Sequence, residues 1–512
     1  MTDVRIVTES LGGSALSRAL RTGAAPATWM SAAPQSAEGW RARVTGRASE
    51  RDWATLWRCL EPAITARGSA RERLARVISD GGVVVTTGQQ PGLFGGPIYT
   101  LSKAVSAVAL ADALQAAIGV PTAPLFWAAT DDADYAEASS TAVARIGGLD
   151  VLRATHAPPP GTPMSLAPLG ELPDVLSRLA AACGSSADPR PLELVREAYD
   201  DPSRSVGESF VRLMRALLEP LGMPVLDASH EAVVTASQAL LRRALESSGE
   251  VERALASRGA EIRAAGFDPQ VEEVGGLSLV FGRDQSIKRR LAIGETPGPS
   301  MRLTPNVLLR PVVEHELLPT VAYVAGPGEL AYFAQVGPLA QVLGVPMPLA
   351  VPRWSCTLVE PQIAELMKRL GATSEELRSE GTLEARLARG ALDPAAGTAL
   401  ERLRAAFAEF PESMRETAEA LGLEHAVQGA AGALQHRADR LERRLLAAVK
   451  RRETELMTDV ATLRAALRPR GEPQERVLNP VPILARHGLS LLGEMRDAAR
   501  PHARAIVEGI TR

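Results

Sequence analysis

Cysteine is scarce in this chain, and its spacing excludes the sites that cysteine usually builds. The 512 residues include three cysteines, Cys59, Cys183 and Cys356, which are far apart and odd in number, and this argues against a disulfide framework. No C-x-x-C motif is present and the seven histidines are scattered, so a structural zinc site is not expected. The fold must therefore depend on its apolar core, for which a hydrophobic content of 46% is ample.

A large excess of either charge is missing as well. The formal net charge is −3, which leaves no basic footprint for nucleic acid and no acidic tail. The opening residues, MTDVRIVTES, lack the basic and apolar regions of a secretory signal. No apolar run reaches the ~18 residues of a membrane span, since VSAVALADALQAAIGV is interrupted by Asp112. We therefore expect a cytoplasmic globular protein with neither a nucleic-acid nor a membrane partner.

Short apolar runs alternate with helical patterns through the middle of the chain. Residues 1–80 are predicted to be largely helical, because charged and apolar residues alternate there at helical spacing. Beyond them, continuous apolar runs bounded by Gly and Pro are typical of strands buried on both faces. These runs are VVVTT (83–87), APLFWAAT (123–130), MPVLDAS (223–229), GLSLVFG (276–282), PTVAYVAG (319–326) and MPLAVP (347–352). The pattern predicts a doubly wound parallel α/β core over 81–356, with insertions at about 157–173 and 187–265.

Strand signals disappear beyond this core. Over 357–468 Ala, Leu, Glu and Arg dominate, and apolar residues at mostly 4-3-4 spacing predict one helix over 429–467, roughly 60 Å long. The segment 357–421 can return antiparallel to it. A compact helical bundle is the alternative, but we favour a projecting coiled coil that forms a homodimer. Residues 469–512 lose the heptad pattern and are expected to return to the core.

The stretch GQQPGLFGGP, at 88–97, follows the first core strand. Ligands of doubly wound folds bind at the carboxyl ends of the strands, where glycines let backbone N–H groups approach a ligand and a helix start favours an anion. The stretch fits neither G-x-G-x-x-G nor the P-loop pattern. A structural turn is the alternative, but we interpret the stretch and the next helix face as a substrate-binding region. Its predicted binding residues are Gly88, Gln89, Gln90, Gly92, Gly96, Tyr99 and Lys103.

Three carboxylates follow the next strand, in TDDADYAE (130–137). Asp131, Asp132 and Asp134 could bind a metal, recognise an amine or act as a general base, although their spacing fails the EF-hand pattern. The alternative is a helix cap with an acidic first turn. We predict the three aspartates to be catalytic and no metal to be bound.

Two further candidate regions also follow core strands. AGPGELAYF (325–333) contains a Gly-Pro-Gly turn before a helix, with Glu329 and Tyr332 as predicted ligand contacts. Arg353, after the last core strand, could pair bidentately with a substrate carboxylate or form a structural ion pair. Because these regions follow strands of one sheet, we expect a pocket between residues 88–96, 131–134 and 326–329.

Together these motifs resemble the bacillithiol biosynthesis cysteine-adding enzyme family, BshC. The resemblance runs from residue 87 to 488, in the stretches TGQQPGLFGGPIYTLSK, PLFWAATDDADYAE, LLRPVVEHELLPTVAYVAGPGELAYF, VPRWS and QERVLNPVPILARHG. It implies a Rossmann-type core like that of class I aminoacyl-tRNA synthetases and nucleotidyltransferases. It also implies helical insertions and an antiparallel helical coiled coil used in dimerisation.

The resemblance implies a carbon–nitrogen ligase with two substrates. The enzyme would join the carboxyl of L-cysteine to the amine of glucosaminyl-malate as an amide and leave the thiol free. The glycine-rich loop would correspond to the nucleotide-handling turn of the synthetases. In QERVLNPVPILARHG, Arg476 and Asn479 are the candidates for nucleotide binding. The cofactor stays open, with ATP or another nucleotide as the candidate.

The acidic turn departs from the family pattern. The family usually has Glu-Asp-His-Asp after the second strand, whereas this chain has Asp131, Asp132, Ala133 and Asp134. An enzyme is favoured because the glutamines, Lys103 and the aspartates are kept. The alternatives are a dimeric nucleotide- or amino-sugar-binding protein without catalysis, and a ligase for another amino sugar.

Overall fold

The computed structural model describes residues 3–185, 187–272 and 274–510. These residues fall into two compact units. The core unit comprises the described residues of 3–143, 151–358 and 475–510, and the helical unit comprises 144–150 and 359–474.

Strands are concentrated in the core unit. In chain order they are β1 Arg5–Thr8, β2 Ile64–Thr65, β3 Val83–Gln89, β4 Thr122–Ala128, β5 Ser140–Arg145, β6 Gly148–Arg153, β7 Val225–Asp227, β8 Leu277–Asp284, β9 Ile287–Ala292, β10 Arg302–Pro305, β11 Thr320–Ala325, β12 Ala350–Pro352 and β13 Cys356–Val359. The main sheet has the order β12-β11-β3-β4-β7-β2. Its neighbours are parallel except β2, which runs antiparallel to β7. The predicted doubly wound sheet is confirmed, with one antiparallel edge strand.

Helices make up most of the remaining structure. They are α1 Ala15–Thr22, α2 Ala37–Ser49, α3 Trp53–Leu60, α4 Gly68–Ser79, α5 Ile98–Ile118, α6 Tyr135–Ala138, α7 Pro173–Cys183, α8 Arg190–Tyr199, α9 Val206–Leu218, α10 Glu231–Glu246, α11 Ser248–Ala264, α12 Arg310–Leu317, α13 Pro327–Val342, α14 Pro361–Leu370, α15 Ser374–Arg378, α16 Thr382–Gly390, α17 Pro394–Ser413, α18 Arg415–Leu421, α19 Glu424–Arg452, α20 Thr454–Leu467, α21 Gln474–Val477, α22 Val481–His487 and α23 Ser490–Val507.

The central helix of the core unit is α5. Its length and apolar composition would suffice to cross a membrane, but 72% of its most apolar window is buried inside the protein. It packs against β3 and β4 on one side and against α23 on the other. Burial on several sides explains why this helix is apolar all round rather than amphipathic.

One predicted core strand belongs to a different sheet. GLSLVFG forms β8, which pairs antiparallel with β9 and β10 in a separate three-stranded sheet. The prediction of a parallel core strand there was wrong, because β8 and β9 form a hairpin whose turn is Gln285–Ser286. Short apolar runs do not distinguish a hairpin strand from a central one. The predicted insertion 187–265 also contains β7, a strand of the main sheet.

The helical unit contains a long antiparallel pair. Helix α17 packs along α19, and Arg404 lies 2.6 Å from carboxylate oxygens of both Asp439 and Glu442. The predicted single helix over 429–467 was wrong, because the chain breaks between α19 and α20 at Glu453, whose ψ is 61°. A stripe of apolar side chains continues across this break, so periodicity alone did not reveal it.

Candidate functional site

Three strand ends meet at one edge of the main sheet. Strand β3 lies between β11 and β4, and its Gly88 and Gln89 are in register with Trp127 and Ala128 of β4. The N–H of Ala129 then donates to the carbonyl of Gln89 at 2.9 Å, which ties the two following loops together. The loops after β3, β4 and β11 therefore share one side of the sheet, as Rossmann-type binding sites do.

Lys103 connects the glycine-rich loop to the turn after β11. From the second turn of α5, its Nζ donates to the Gly88 carbonyl at 2.8 Å and to Gln89 Oε1 at 2.9 Å. The same Nζ lies 2.6 Å from Glu329 Oε2, and both side chains are largely buried. Burial lowers the pKa of Lys103, and the Glu329 carboxylate partly opposes that effect. The lysine is thus held by three protein oxygens.

Glu329 is the carboxylate partner of this lysine and also caps its own helix. It accepts hydrogen bonds from the Tyr323 hydroxyl at 2.5 Å and from the Gly326 N–H at 2.6 Å. Burial alone would raise the pKa of Glu329, but Lys103 and Arg310 hold it below its ordinary value. The carboxylate is therefore charged and fully engaged by the protein. Its predicted ligand contact stays a prediction.

The two adjacent glutamines face polar partners across the site. Gln89 Nε2 donates to the Tyr99 hydroxyl at 3.1 Å, and Gln90 Nε2 donates to Glu137 Oε2 at 2.6 Å. The Tyr99 hydroxyl also lies 3.5 Å from Glu137 Oε1. Both glutamines are partly exposed, so they form part of the accessible rim of the site rather than its floor.

Glu137 is a polar group that the sequence interpretation missed, although it lies within the quoted stretch TDDADYAE. Loss of hydration, and then repulsion from Asp134 and Asp132, raise the pKa of its carboxyl. A carboxylate of raised pKa is a better proton acceptor near neutral pH. The only sequence signal was its position three residues after Asp134, which is the spacing of a helix cap.

The three predicted catalytic aspartates have different environments. Asp132 Oδ1 accepts from the N–H of Asp134 at 2.9 Å, and Asp134 Oδ1 accepts from the N–H of Glu137 at 3.1 Å. Each thereby stabilises the turn into α6 with one oxygen and leaves the other without a partner among the described residues. Within those residues no three His, Cys, Asp or Glu side chains are grouped to hold a metal ion.

Asp131 instead meets a lysine from the β8–β9 hairpin. Lys288 Nζ donates to the Asp131 carbonyl at 2.8 Å and lies 3.5 Å from its carboxylate, with only 7% of the lysine side chain exposed. Its Nζ also lies 4.6 Å from the ring centroid of Phe281. The β8–β9 hairpin, which contains the basic run FGRDQSIKRR (281–290), therefore reaches the acidic turn through its lysine.

Arg353 and Tyr332 are engaged with other side chains. The Arg353 guanidinium donates two hydrogen bonds to the Glu475 carboxylate, from Nη1 at 2.9 Å and from Nη2 at 2.6 Å. Both side chains are 3% exposed. The Tyr332 hydroxyl accepts from Arg310 at 3.3 Å and is buried. A substrate carboxylate would have to compete with Glu475 for Arg353, so the substrate contact of this arginine stays a prediction.

Asn479 holds the glycine-rich loop in place. Its Nδ2 donates to the carbonyls of Leu93, Phe94 and Gly96 at 3.0–3.3 Å, where the backbone turns through positive φ. A Cβ on Gly92 would lie 2.7 Å from Gly96 Cα, so the loop closes too tightly for a side chain there. Part of the glycine content therefore serves the loop's own geometry.

The predicted nucleotide contacts differ in their placement. The Asn479 amide is directed at the loop carbonyls, whereas Arg476 is exposed and close enough for its charge to act on Tyr99. Asn479 therefore orders the loop through contacts within the protein. Nucleotide binding by these two residues stays a prediction.

Comparisons with known proteins match two domains of one family. Residues 27–295 and 293–354 match "Bacillithiol biosynthesis BshC, N-terminal Rossmann-like domain", and residues 356–506 match "Bacillithiol biosynthesis BshC, C-terminal coiled-coil domain". Relatives named "Putative cysteine ligase BshC" include those of Solibacter usitatus (32% identical, 85% of this chain and 86% of the relative), Koribacter versatilis (31%, 84% and 85%) and Salinibacter ruber (30%, 82% and 81%).

Proposed function

The chain belongs to the bacillithiol biosynthesis BshC family, and on that premise we propose that it joins the carboxyl of L-cysteine to the amine of glucosaminyl-malate. The product would be an amide with a free thiol. A C–N bond forms between the cysteine carboxyl carbon and the amine nitrogen while one C–O bond of that carboxyl breaks, and the amine loses a proton. The oxygen of the broken bond leaves with the group that activates the carboxyl. ATP is the candidate cosubstrate that would activate the carboxyl for this step.

The observation that carries the proposal is the arrangement of carboxylates along the partly exposed rim of the sheet edge. Asp132, Asp134 and Glu137 lie on one turn, and Glu137 is tied to Gln90 and Tyr99. A carboxylate in this position can hold a protonated amine and then accept its proton. The raised pKa of Glu137 makes this missed residue a further candidate for the proton acceptor.

The malate end of the acceptor needs cationic partners. The cationic candidates from the sequence are Lys103 and Arg353. Both are already paired with buried carboxylates, Glu329 and Glu475. Arg476 is exposed and close enough for its charge to act on Tyr99, so it is a further candidate for the malate end.

The test replaces single carboxylates of the acidic turn. Asp132→Asn and Asp134→Asn keep the side-chain shape and should each lower turnover at least about a hundredfold if the carboxylate handles the amine proton. Asp201→Asn is a matched control, because Asp201 accepts from the N–H two residues later at 3.0 Å, as Asp132 does, but on an exposed turn. Turnover is measured with cysteine, glucosaminyl-malate and ATP by mass detection of the product. Wild-type turnover in both variants would show that Asp132 and Asp134 only cap the helix.

The alternative is a family member without this activity or with another amino-sugar substrate. Ala133 favours it, because an alanine cannot transfer a proton where the family usually has histidine. In the same assay, the unmodified protein would then form no product from glucosaminyl-malate while still binding a nucleotide or an amino sugar.

We also propose a cytoplasmic homodimer that forms through the helical unit. Leu421 and Leu441, in helices α18 and α19, and Leu423, between these helices, are 65, 45 and 48% exposed. A second copy would cover them. Light scattering that shows a monomer at micromolar concentration would contradict this assembly.

A further inference from the structure

The backbone of the acidic turn is bonded to the loop that follows β6. The N–H of Ser165 donates to the Thr130 carbonyl at 2.9 Å, and the N–H of Met164 donates to the Asp132 carbonyl at 2.8 Å. These two bonds fix the turn on both sides of Asp131. The donor for the Asp131 carbonyl comes from another part of the fold.

Lys288 of the β8–β9 hairpin supplies that donor. Its Nζ donates to the Asp131 carbonyl at 2.8 Å and lies 3.5 Å from the Asp131 carboxylate. Only 7% of the lysine side chain is exposed, and its charge would be costly to bury without these oxygens and the nearby ring of Phe281. Three consecutive carbonyls of the turn, those of residues 130–132, therefore accept hydrogen bonds from segments that are distant in sequence.

The hairpin is itself fixed close to the loop that follows β6. The N–H of Lys288 donates to the Gly161 carbonyl at 2.9 Å. A Cβ on Gly161, whose φ is +83°, would lie only 2.8 Å from the Lys288 carbonyl oxygen, so the two backbones approach too closely for a side chain there. The backbone that carries Lys288 is therefore anchored, and its ammonium reaches Asp131 from a fixed position.

The three aspartates of the turn differ in what their carboxylates can still bind. The Asp131 carboxylate has a cation beside it. Asp132 and Asp134 each use one oxygen to cap the turn and keep the other without a partner among the described residues. A substrate ammonium at Asp131 would be repelled by the Lys288 ammonium, because like charges at short separation repel more strongly away from bulk water. Asp132 and Asp134 are therefore the better acceptors for an amine.

We propose that Lys288 is a positioning residue for the ligase reaction. It fixes the turn at Asp131 and occupies that carboxylate, so the acceptor amine is received by Asp132 or Asp134. The amine proton then passes to a carboxylate oxygen of one of these two residues as the C–N bond forms. Lys288 itself touches no substrate and acts through the turn. This inference rests on the proposed function, because it assigns a role in that reaction to a residue outside the acidic turn.

The experiment compares the turnover of single variants, measured with cysteine, glucosaminyl-malate and ATP by mass detection of the product. Lys288→Met keeps an unbranched side chain but removes the ammonium. It should lower kcat at least tenfold, because displacing a catalytic group by about 1 Å can cost about a hundredfold in rate. Lys288→Arg keeps the charge and should stay within about threefold of the wild-type kcat. Arg289→Met is the matched control and should have the wild-type kcat, since Arg289 is the next residue of β9, is 55% exposed and pairs with Glu295.

A role in stability alone predicts a different result. Well below the unfolding transition, a variant that is only less stable keeps the wild-type kcat and differs from the wild type in its Tm. Hydrogen exchange in residues 130–134 is the second readout, and it should be faster in Lys288→Met and close to wild type in Lys288→Arg. If Lys288→Met does not fold, Lys288→Gln, which keeps a polar end group without the charge, takes its place with the same expected loss of kcat.

The outcomes separate this inference from the proposed reaction. Wild-type kcat in folded Lys288→Met or Lys288→Gln would overturn the positioning role, and so would a Lys288→Arg variant as slow as Lys288→Met. A loss of kcat with unchanged exchange in the turn would overturn it too, because Lys288 would then act on the substrate directly. In each of these cases the unmodified protein still forms the amide. Absence of amide product from the unmodified protein would overturn the proposed reaction instead.

Discussion

The buried ion pair between Arg353 and Glu475 offers a sharp test of how the core unit is stabilised. The Glu475 carboxylate accepts from both terminal nitrogens of Arg353, from Ser102 at 2.9 Å and from Ser355 at 2.6 Å. Glu475→Gln keeps the shape but removes the charge and turns one acceptor into a donor. Whichever oxygen is replaced, at least two donors lose their acceptor, and the Arg353 charge stays buried.

The expected cost follows from that geometry. Removing one partner of a buried ion pair typically costs about 3–5 kcal/mol. With about 2.1 cal/mol/K of unfolding entropy per residue, a core unit of roughly 390 residues should lose about 1.2 °C per kcal/mol. Scanning calorimetry should therefore show the transition of this unit about 4–6 °C lower.

A double variant supplies the control. Arg353→Met combined with Glu475→Leu removes both charges and should be less destabilising than Glu475→Gln alone, because no unpaired charge remains buried. If Glu475→Gln lowers the Tm by less than about 1 °C, the reasoning is refuted, and Arg353 is again a candidate for substrate contact. A double variant less stable than the single one would also refute it.

Three further predictions concern other buried polar groups. Burial raises the pKa of Glu314 to about 7, above its ordinary 4.5, so the folded state holds this proton to higher pH than the unfolded state does. The stability of the fold should therefore decrease as the pH rises from about 4.5 to 7. Glu314→Gln should remove this part of the dependence of Tm on pH, and an unchanged dependence would contradict the prediction. Asn479→Ala should lower the free energy of unfolding by about 1–3 kcal/mol and speed hydrogen exchange in residues 88–97, because three loop carbonyls lose their donor. Loss of nucleotide binding with unchanged exchange would instead support the predicted role of Asn479 in binding nucleotide. Lys288→Met should speed hydrogen exchange around Asp131 about tenfold or more, since a charge-assisted contact is lost, and unchanged exchange would show that the hairpin does not hold the turn.

The sequence predicted the main sheet well because its strands carry two physical signals at once. Residues 83–87, 123–130 and 319–326 are continuous apolar runs that end at Gly or before polar turns, and both signals arise from burial on two faces. The run at 276–282 carries the same signals but pairs within a hairpin. Pairing partners depend on tertiary contacts that composition does not encode.

The polar residues of the candidate site that the sequence interpretation missed depend on contacts that are distant in sequence. Lys288 and Glu475 each act on residues more than a hundred positions away, at Asp131 and Arg353. Local sequence patterns around Lys288 and Glu475 do not indicate these contacts. Glu137 lay within a quoted motif, but its importance depends on Gln90 reaching it from another strand end.

The division of charge at this sheet edge limits how an anionic substrate can bind. Lys103 and Arg353 are the most buried cations of the predicted site, and each already has a carboxylate partner at 2.6 Å. Replacing such a partner would leave the displaced Glu329 or Glu475 buried and unpaired, which costs several kcal/mol. Substrate recognition should therefore depend on the partly exposed groups around Gln90, whereas the buried pairs hold the loops that carry those groups. It follows that substitutions at the rim should change KM or turnover with little loss of stability, and that substitutions in the buried pairs should reduce stability first.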